Sequence, residues 1–218
     1  MNKISNRLKI ITQFIDKKDQ VVDVGCDHGY LSIYLIANKL CKRVIASDIN
    51  KNALAGAIKN VQNSGFDIPV VLSDGINDVD LKGINTLVIS GMGTNTVLHI
   101  LNDDNKLKKI DKIVVQSNND HELLRRELNN KGYYLDNEVI IFDKGKWYVT
   151  CLFIKCGKKN TDSEIKYGYL SNSEYNDYLV KYYKGILKKI PLTSIRKKYE
   201  KYLEIKELKK AIKLSNDN

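Results

Sequence analysis

Short apolar runs alternate with longer segments in which apolar residues recur every three or four positions. Val21-Val22-Asp23-Val24-Gly25 is such a run, closed by glycine. Leu31, Tyr34, Leu35 and Leu40 then predict a helix over 30–40. A second strand is expected at 43–49, and Asn50 is placed to cap a helix that runs to about Asn63 and stops at Ser64-Gly65. Further strands are predicted at 69–74, 85–90 and 112–117. Gly91-Met92-Gly93-Thr94 leads into a helix near 95–101, and Asn119 or Asp120 caps one ending at Lys131-Gly132. Continuous apolar strands between helices imply a parallel sheet covered on both faces. After Gly132 the rhythm changes. Residues 133–143 and 146–156, joined by Asp143-Lys144-Gly145-Lys146, predict an antiparallel hairpin. The expected fold is α/β, with five parallel strands and an antiparallel edge.

Residues 157–171 are polar and read as a linker. Beyond them, Tyr175, Tyr178, Leu179, Tyr182, Ile186 and Leu187 form one helical stripe. Pro191 interrupts it, Thr193 or Ser194 can cap the next helix, and Ile195, Tyr199, Tyr202, Leu208 and Ile212 form a second stripe. The two predict a helical hairpin, so the expected division is 1–157 and 158–218. Composition agrees with a folded protein: of 218 residues 43% are apolar and 28% charged, which excludes disorder along the whole chain, and 13 Gly with 2 Pro exclude a collagen-like fibre. No apolar run approaches the roughly 20 residues that span a bilayer, and the first twenty residues lack a signal-peptide core. The expectation is a cytoplasmic protein without a membrane partner. Cys26, Cys41, Cys151 and Cys156 have no CxxC or Cys/His spacing, so they are expected to be reduced, with no metal site.

Net charge is +10, and residues 158–218 hold 15 Lys and Arg against 8 Asp and Glu. That excess fits a polyanionic partner, nucleic acid first; the alternative is a lysine-rich solvated face. In a parallel sheet, ligands bind beyond the carboxyl ends of the strands. There the chain has Asp23-Val24-Gly25-Cys26-Asp27-His28-Gly29-Tyr30, then Asp48-Ile49 and Asp74-Gly75. The glycine spacing is GxxxG rather than the GxGxxG of dinucleotide cradles, which disfavours a dehydrogenase. Asp48 is placed to accept the hydroxyls of a ribose and Asp74 the amino group of an adenine; the alternative is that each acid only caps the following helix. Together the glycine loop and three acids resemble the class I S-adenosylmethionine-dependent methyltransferases, whose seven-stranded, Rossmann-like sheet also ends in an antiparallel hairpin.

Ile4-Ser5-Asn6-Arg7-Leu8, the Asp23 to Leu31 loop and Ile89-Ser90-Gly91-Met92-Gly93 narrow this further. They look like the TrmK family, bacterial tRNA methyltransferases acting on N1 of adenine 22, with loops close to D-I-G-S-D-H-A-Y-L, G-M-G-G and Q-P-N. Here Cys26, Gly29, Thr94 and Ser117 depart from that pattern. The resemblance implies S-adenosylmethionine as cofactor, held by Asp23, Gly25, Cys26, Asp27, Gly29, Asp48, Ile49, Asp74, Gly75, Ser90, Gly91, Met92 and Gly93. It implies Asp27, His28, Tyr30 and Met92 as catalytic candidates. Asp27 can orient the adenine, stabilise a cationic product or take a proton; the sequence leaves these open. Gly91 and Met92 carbonyls can read the adenine amino group. His99 and His121 are expected to be surface or packing residues. A monomer is expected, with tRNA as partner. Arg7, Lys181, Lys184, Lys188, Lys189, Arg196, Lys197, Lys198 and Lys201 are candidates for RNA contact. The other reading is an RNA-binding protein that keeps the fold without the chemistry.

Overall fold

The computed structural model describes residues 4–216. The chain divides into two compact units, one ending at Lys159 and one beginning at Asn160. The first is built on seven strands: β1 (Gln20–Val24), β2 (Arg43–Asp48), β3 (Val70–Leu72), β4 (Thr86–Met92), β5 (Lys112–Ser117), β6 (Tyr133–Asp143) and β7 (Lys146–Lys155). Their order is β3-β2-β1-β4-β5-β7-β6. β1 to β5 pair in parallel, whereas β7 is antiparallel to β5 and β6. Strand order reverses between β1 and β4, so a crevice opens beyond their carboxyl ends. Val21, Val22, Val24, Leu87, Val88, Ile89, Ile113, Val114 and Val115 are all buried, as covering on both faces requires.

Six helices accompany the sheet: α1 (Asn6–Ile11), α2 (Tyr30–Ala37), α3 (Lys51–Ser64), α4 (Thr94–Ile100), α5 (Asp104–Leu107) and α6 (His121–Asn130). Asn50 caps α3, its side chain accepting from the N–H groups of Asn52 and Ala53. Asp120 caps α6; Asn119 is used elsewhere. α2 ends three residues before the expected Leu40. Lys39 takes a left-handed conformation (φ 53°), and the Leu40 N–H turns back to the Leu35 carbonyl.

The second unit contains α7 (Asp162–Tyr167), α8 (Ser173–Lys189) and α9 (Ile195–Asn216). α7 corrects the expected linker. Thr161 and Glu164 form a capping box, each side chain accepting from the other's backbone N–H, which starts a helix inside a polar segment. The stripes are corrected too. The small core joins Tyr167, Leu170 and Leu208, with Leu179, Val180, Tyr183, Ala211 and Ile212 against it. Tyr178, Tyr182, Ile195, Tyr199 and Tyr202 are exposed instead. A helical stripe wide enough to include them exceeds the one face that a three-helix unit can cover. Tyr175, Tyr178 and Tyr182 stack along α8 with ring centroids 5.9 and 6.1 Å apart. Among the described residues no helix is long and apolar enough to cross a membrane, and no His, Cys, Asp and Glu cluster could hold a metal.

Candidate active site

The loop after β1 is held by β2. The N–H groups of Gly25 and Cys26 donate to the Ser47 carbonyl at 2.8 and 3.0 Å. The Asp27 N–H donates to Asp48 Oδ2 at 3.0 Å, and the Asn50 N–H to Asp48 Oδ1 at 2.8 Å. Asp48 is therefore oriented by two backbone amides from different loops. It does not cap α3, because Asn50 does. Asp23 accepts from Ser32 Oγ at 2.7 Å, and Asp74 meets His99 Nε2 at 3.3 Å. No strand-end acid among the three serves as a helix cap, so the simpler explanation of their position fails.

Gly25 sits at φ +72°, and a Cβ there would stand 2.0 Å from Met92 Cε. The left-handed φ favours glycine, and its bare Cα leaves the space that the flexible end of Met92 fills. Met92 reaches it through an irregularity in β4: the β4–β5 register shifts between Ser90 and Met92, with Gly91 at φ +78°. Such a bulge turns the following side chain out of the ladder and is common beside active sites. Asn118 fixes this loop, its N–H donating to the Met92 carbonyl and its Nδ2 to the Gly91 carbonyl, at 2.9 and 2.8 Å. Thr94 adds a clasp. Its hydroxyl lies 2.7 Å from Ser117 Oγ and donates to the Asn119 carbonyl, while its N–H donates to Asn119 Oδ1 at 3.0 Å. The two departures from the family pattern at 94 and 117 thus meet in one buried hydroxyl pair.

Two cavities result. The larger, about 790 Å³, is walled by α1 and by the loops after β1 and β4. It gathers Arg7, Asp23, Gly25, Cys26, Asp27, His28, Tyr30, Asp48, Ser90, Gly91 and Met92, all expected from the sequence. The smaller, about 310 Å³, gathers Gly25, Asp48, Ile49, Asp74, Gly75 and Met92. Gly29 and Gly93 line neither; each stands at the N-cap of the following helix. Of the nine basic candidates, Arg7 belongs to the first unit and the other eight to α8 and α9 of the second.

Several contributors were not foreseen. α1 closes one side of the larger cavity through Ile4, Ser5 and Leu8, and Gln116 Nε2 ties it to the sheet by donating to the Arg7 carbonyl at 3.0 Å. Asn60 of α3 holds the His28 carbonyl at 2.9 Å. Gly56 leaves room for the His28 ring, since a Cβ there would lie 2.7 Å from Nδ1. His99, expected at the surface or in packing, lies in the wall of the smaller cavity. His121 does pack: it is half-buried, meets the Ser117 carbonyl at 3.1 Å, and loss of solvent around the ring lowers its pKa.

Electrostatics separate the acids. Burial raises the Asp23 carboxyl to about 6, against the opposing hydrogen bond from Ser32. Burial, with Asp23 and Asp48 close by, pushes the Cys26 thiol up, which removes it as a nucleophile. Asp27 is 73% exposed in a left-handed conformation (φ 51°), and its Oδ1 is 3.7 Å from His28 Nε2. The His28 and Tyr30 rings lie 5.7 Å apart at the same rim. The site thus combines a glycine-floored, acid-lined double cavity with an exposed carboxylate beside two aromatic rings. It can hold a polar elongated ligand and present a flat one to it.

Residues 4–151 match the family model described as a methyltransferase domain. The chain belongs to that family, the class that its fold and site define. Over 149 residues it is 30% identical to the tRNA (adenine(22)-N(1))-methyltransferase of Bacillus subtilis strain 168, a match covering 67% of this chain and 63% of that enzyme. The matched stretch therefore spans less than two thirds of that curated relative. Among solved structures, M. capricolum TrmK in complex with S-adenosyl-homocysteine superposes with a TM-score of 0.86 at 30% identity, covering 97% of this chain and 99% of that one. A protein of the NADB-Rossmann superfamily from Streptococcus agalactiae gives a TM-score of 0.88 at 27% identity, covering 97% and 98%. Within the methyltransferases, the chain belongs to the TrmK family.

Proposed function

We propose that the chain transfers the methyl group of S-adenosylmethionine to N1 of adenine 22 in tRNA, as a cytoplasmic monomer. The observation carrying this reading is that one loop serves both cavities: Gly25 floors them, and the Asp27 amide is held by the Asp48 carboxylate that faces both. The residues present fit the cofactor. Gly25 lines both cavities without a side chain of its own, Asp48 is an oriented acceptor for the ribose, and Ile49, 64% exposed, offers an apolar wall for a flat ring. Asp23, Cys26, Gly75 and Ser90 complete the lining.

When bound, the cofactor supplies a methyl group on a sulfonium. Adenine N1 has its own lone pair, so no base is needed to make the nucleophile. Transfer of that methyl group to N1, with the carbon–sulfur bonding pair left on sulfur, would make the adenine cationic. The protein must align N1 and place negative potential near the developing charge. Asp27 does both: it accepts from the adenine amino group and stabilises the cation. His28 and Tyr30 present ring faces to the base, and Met92 packs at the junction. N1 is engaged when adenine is paired, so the base must leave its helix to enter the larger cavity. The basic residues of α8 and α9 hold the phosphates. Incubating unmodified tRNA transcript with the protein and cofactor should give 1-methyladenosine at position 22 by mass spectrometry. Unmodified product with tight tRNA binding would replace this reading by RNA binding without chemistry.

Asp23 gives the site a pH signature. Its folded pKa, about 6, lies above the ordinary 3.8. The folded state therefore holds a proton that the unfolded state releases, and this group's contribution to stability falls as pH rises from about 4 to about 6. The full difference is about 3 kcal/mol. A cationic ligand in the cavity favours the ionised carboxyl, so affinity for S-adenosylhomocysteine, which carries an ammonium, should rise from pH 5 to 7. Asp23→Asn should raise the melting temperature of the ligand-free protein at pH 7 and flatten that rise, read by calorimetry. A parent affinity independent of pH over this range would remove Asp23 from the site.

Gly56 makes a separate prediction. Gly56→Ala lies inside α3 and should gain up to about 1 kcal/mol of stability from helix propensity. The new Cβ displaces the His28 ring, so methyl transfer should fall by about tenfold. Thermal melts and single-turnover rates test the two halves; a stabilised variant with the parent's rate would show that His28 is not needed where it stands.

A further inference from the structure

The smaller cavity contains a pair that chain distance hides. His99 Nε2 is 3.3 Å from Asp74 Oδ2, and both residues line the cavity. A carboxylate only accepts, so Nε2 carries the proton in this contact. The two elements are held closely. Gly75 approaches α4 so tightly that a Cβ there would lie 3.1 Å from two side-chain carbons of Ile100, the neighbour of His99. The start of α4 is anchored by the Thr94 clasp. The side chains themselves are half open, 64% exposed for His99 and 48% for Asp74, so this is no core ion pair.

An aspartate carboxyl turns freely about its last torsion. With Oδ2 engaged by His99, the carboxylate has one preferred orientation, and Oδ1 is the oxygen left to accept from a ligand. We infer that His99 is a positioning residue that locks Asp74 to read the exocyclic amino group of a purine, making the cavity selective for 6-amino over 6-oxo purines. This rests on the reading that the smaller cavity takes the adenine of the cofactor. A 6-oxo purine presents an acceptor where adenine presents a donor, and a locked carboxylate cannot rotate away from it. A site built to pair with one group rejects an analogue lacking it far more strongly than an apolar pocket does.

The test is calorimetric titration of the full chain with S-adenosylhomocysteine and with S-inosylhomocysteine, which differ at that position. The parent should prefer the adenosyl ligand. His99→Ala should weaken the adenosyl ligand by about tenfold and the inosyl ligand much less, so that the preference collapses. His99→Gln, whose amide can donate to Asp74, should restore much of the preference. Asp74→Ala should abolish it, and adding His99→Ala to that variant should change nothing more. A His99→Ala variant that loses both ligands by the same factor, or keeps the parent's preference, overturns the inference. So does an additive double variant. Asp48→Ala separates this from the cofactor reading, because ribose is common to both ligands: it should weaken both equally. If Asp48→Ala changes neither, the cofactor reading itself fails.

Discussion

Replacing Asp27 by alanine is expected to slow single-turnover methyl transfer by on the order of a hundredfold or more, the scale of one lost electrostatic or acid–base group. Affinities for S-adenosylhomocysteine and tRNA should change far less. The fold gives the reason. Asp48 holds the backbone amide of Asp27, not its side chain, and the exposed carboxylate bears no structural hydrogen bond among the described residues. Alanine at a left-handed φ costs about 1 kcal/mol, so Asp27→Asn, at ease in that conformation, is the matched control. It keeps an acceptor and drops the charge. If charge stabilisation dominates, asparagine recovers only a small part of the rate; if orientation dominates, it recovers most. A rate close to the parent's in both variants would exclude Asp27 from catalysis.

Neutralising five lysines of the second unit should cost tRNA affinity by on the order of a hundredfold near 0.1 M salt, with the salt dependence of log K reduced by about 3 to 4. The structure selects which five. Arg196 is paired with Glu200, and Lys201 with Glu204 while lying over the Tyr183 ring. Lys198 is half-buried. Lys181, Lys184, Lys188, Lys189 and Lys197 are exposed and, among the described residues, form no ion pair. Changing those five to glutamine should leave cofactor binding intact. Changing Arg196 and Lys201 alone should matter less, because their charges already face carboxylates. Filter binding across a salt series decides it. An unchanged slope in the five-fold variant would mean that tRNA is held elsewhere and that α8 and α9 carry only a solvated charged face.

The parallel strands were legible because burial on both faces leaves an unbroken apolar run, and the strand-end acids because a parallel sheet brings every such end to one edge. α1 and α5, of six and four residues, are too short to show a period. The tyrosine stripes had the correct period, yet periodicity does not choose which side of a helix meets its neighbour. Leu179, Val180 and Tyr183 took the inner face and left Tyr178 and Tyr182 outside. His99 and Gly56 were invisible for a related reason. Each matters through a residue about 25 positions away, Asp74 and His28, and only the packing of α4 and α3 against the loops creates the contact. Thr94 and Ser117 looked like separate losses in sequence and form a single hydrogen-bonded pair in the fold.

The thioether of Met92 over Gly25 has a consequence for inhibitors. The two cavities share Gly25, Asp48 and Met92 as walls, with the methyl group of Met92 resting against the glycine. On the proposed reading, a small purine-like fragment would occupy the smaller cavity and a cationic fragment the larger, with Met92 in the wall of each. Joining them gains the usual advantage of high effective concentration, but the linker must displace an unbranched, easily repacked methionine from its place on the glycine. Replacing Met92 by alanine would remove that obstacle. The difference in the linked compound's affinity between the two proteins then measures how much of an inhibitor's potency is spent on moving one side chain, and indicates where the linker should be thinnest.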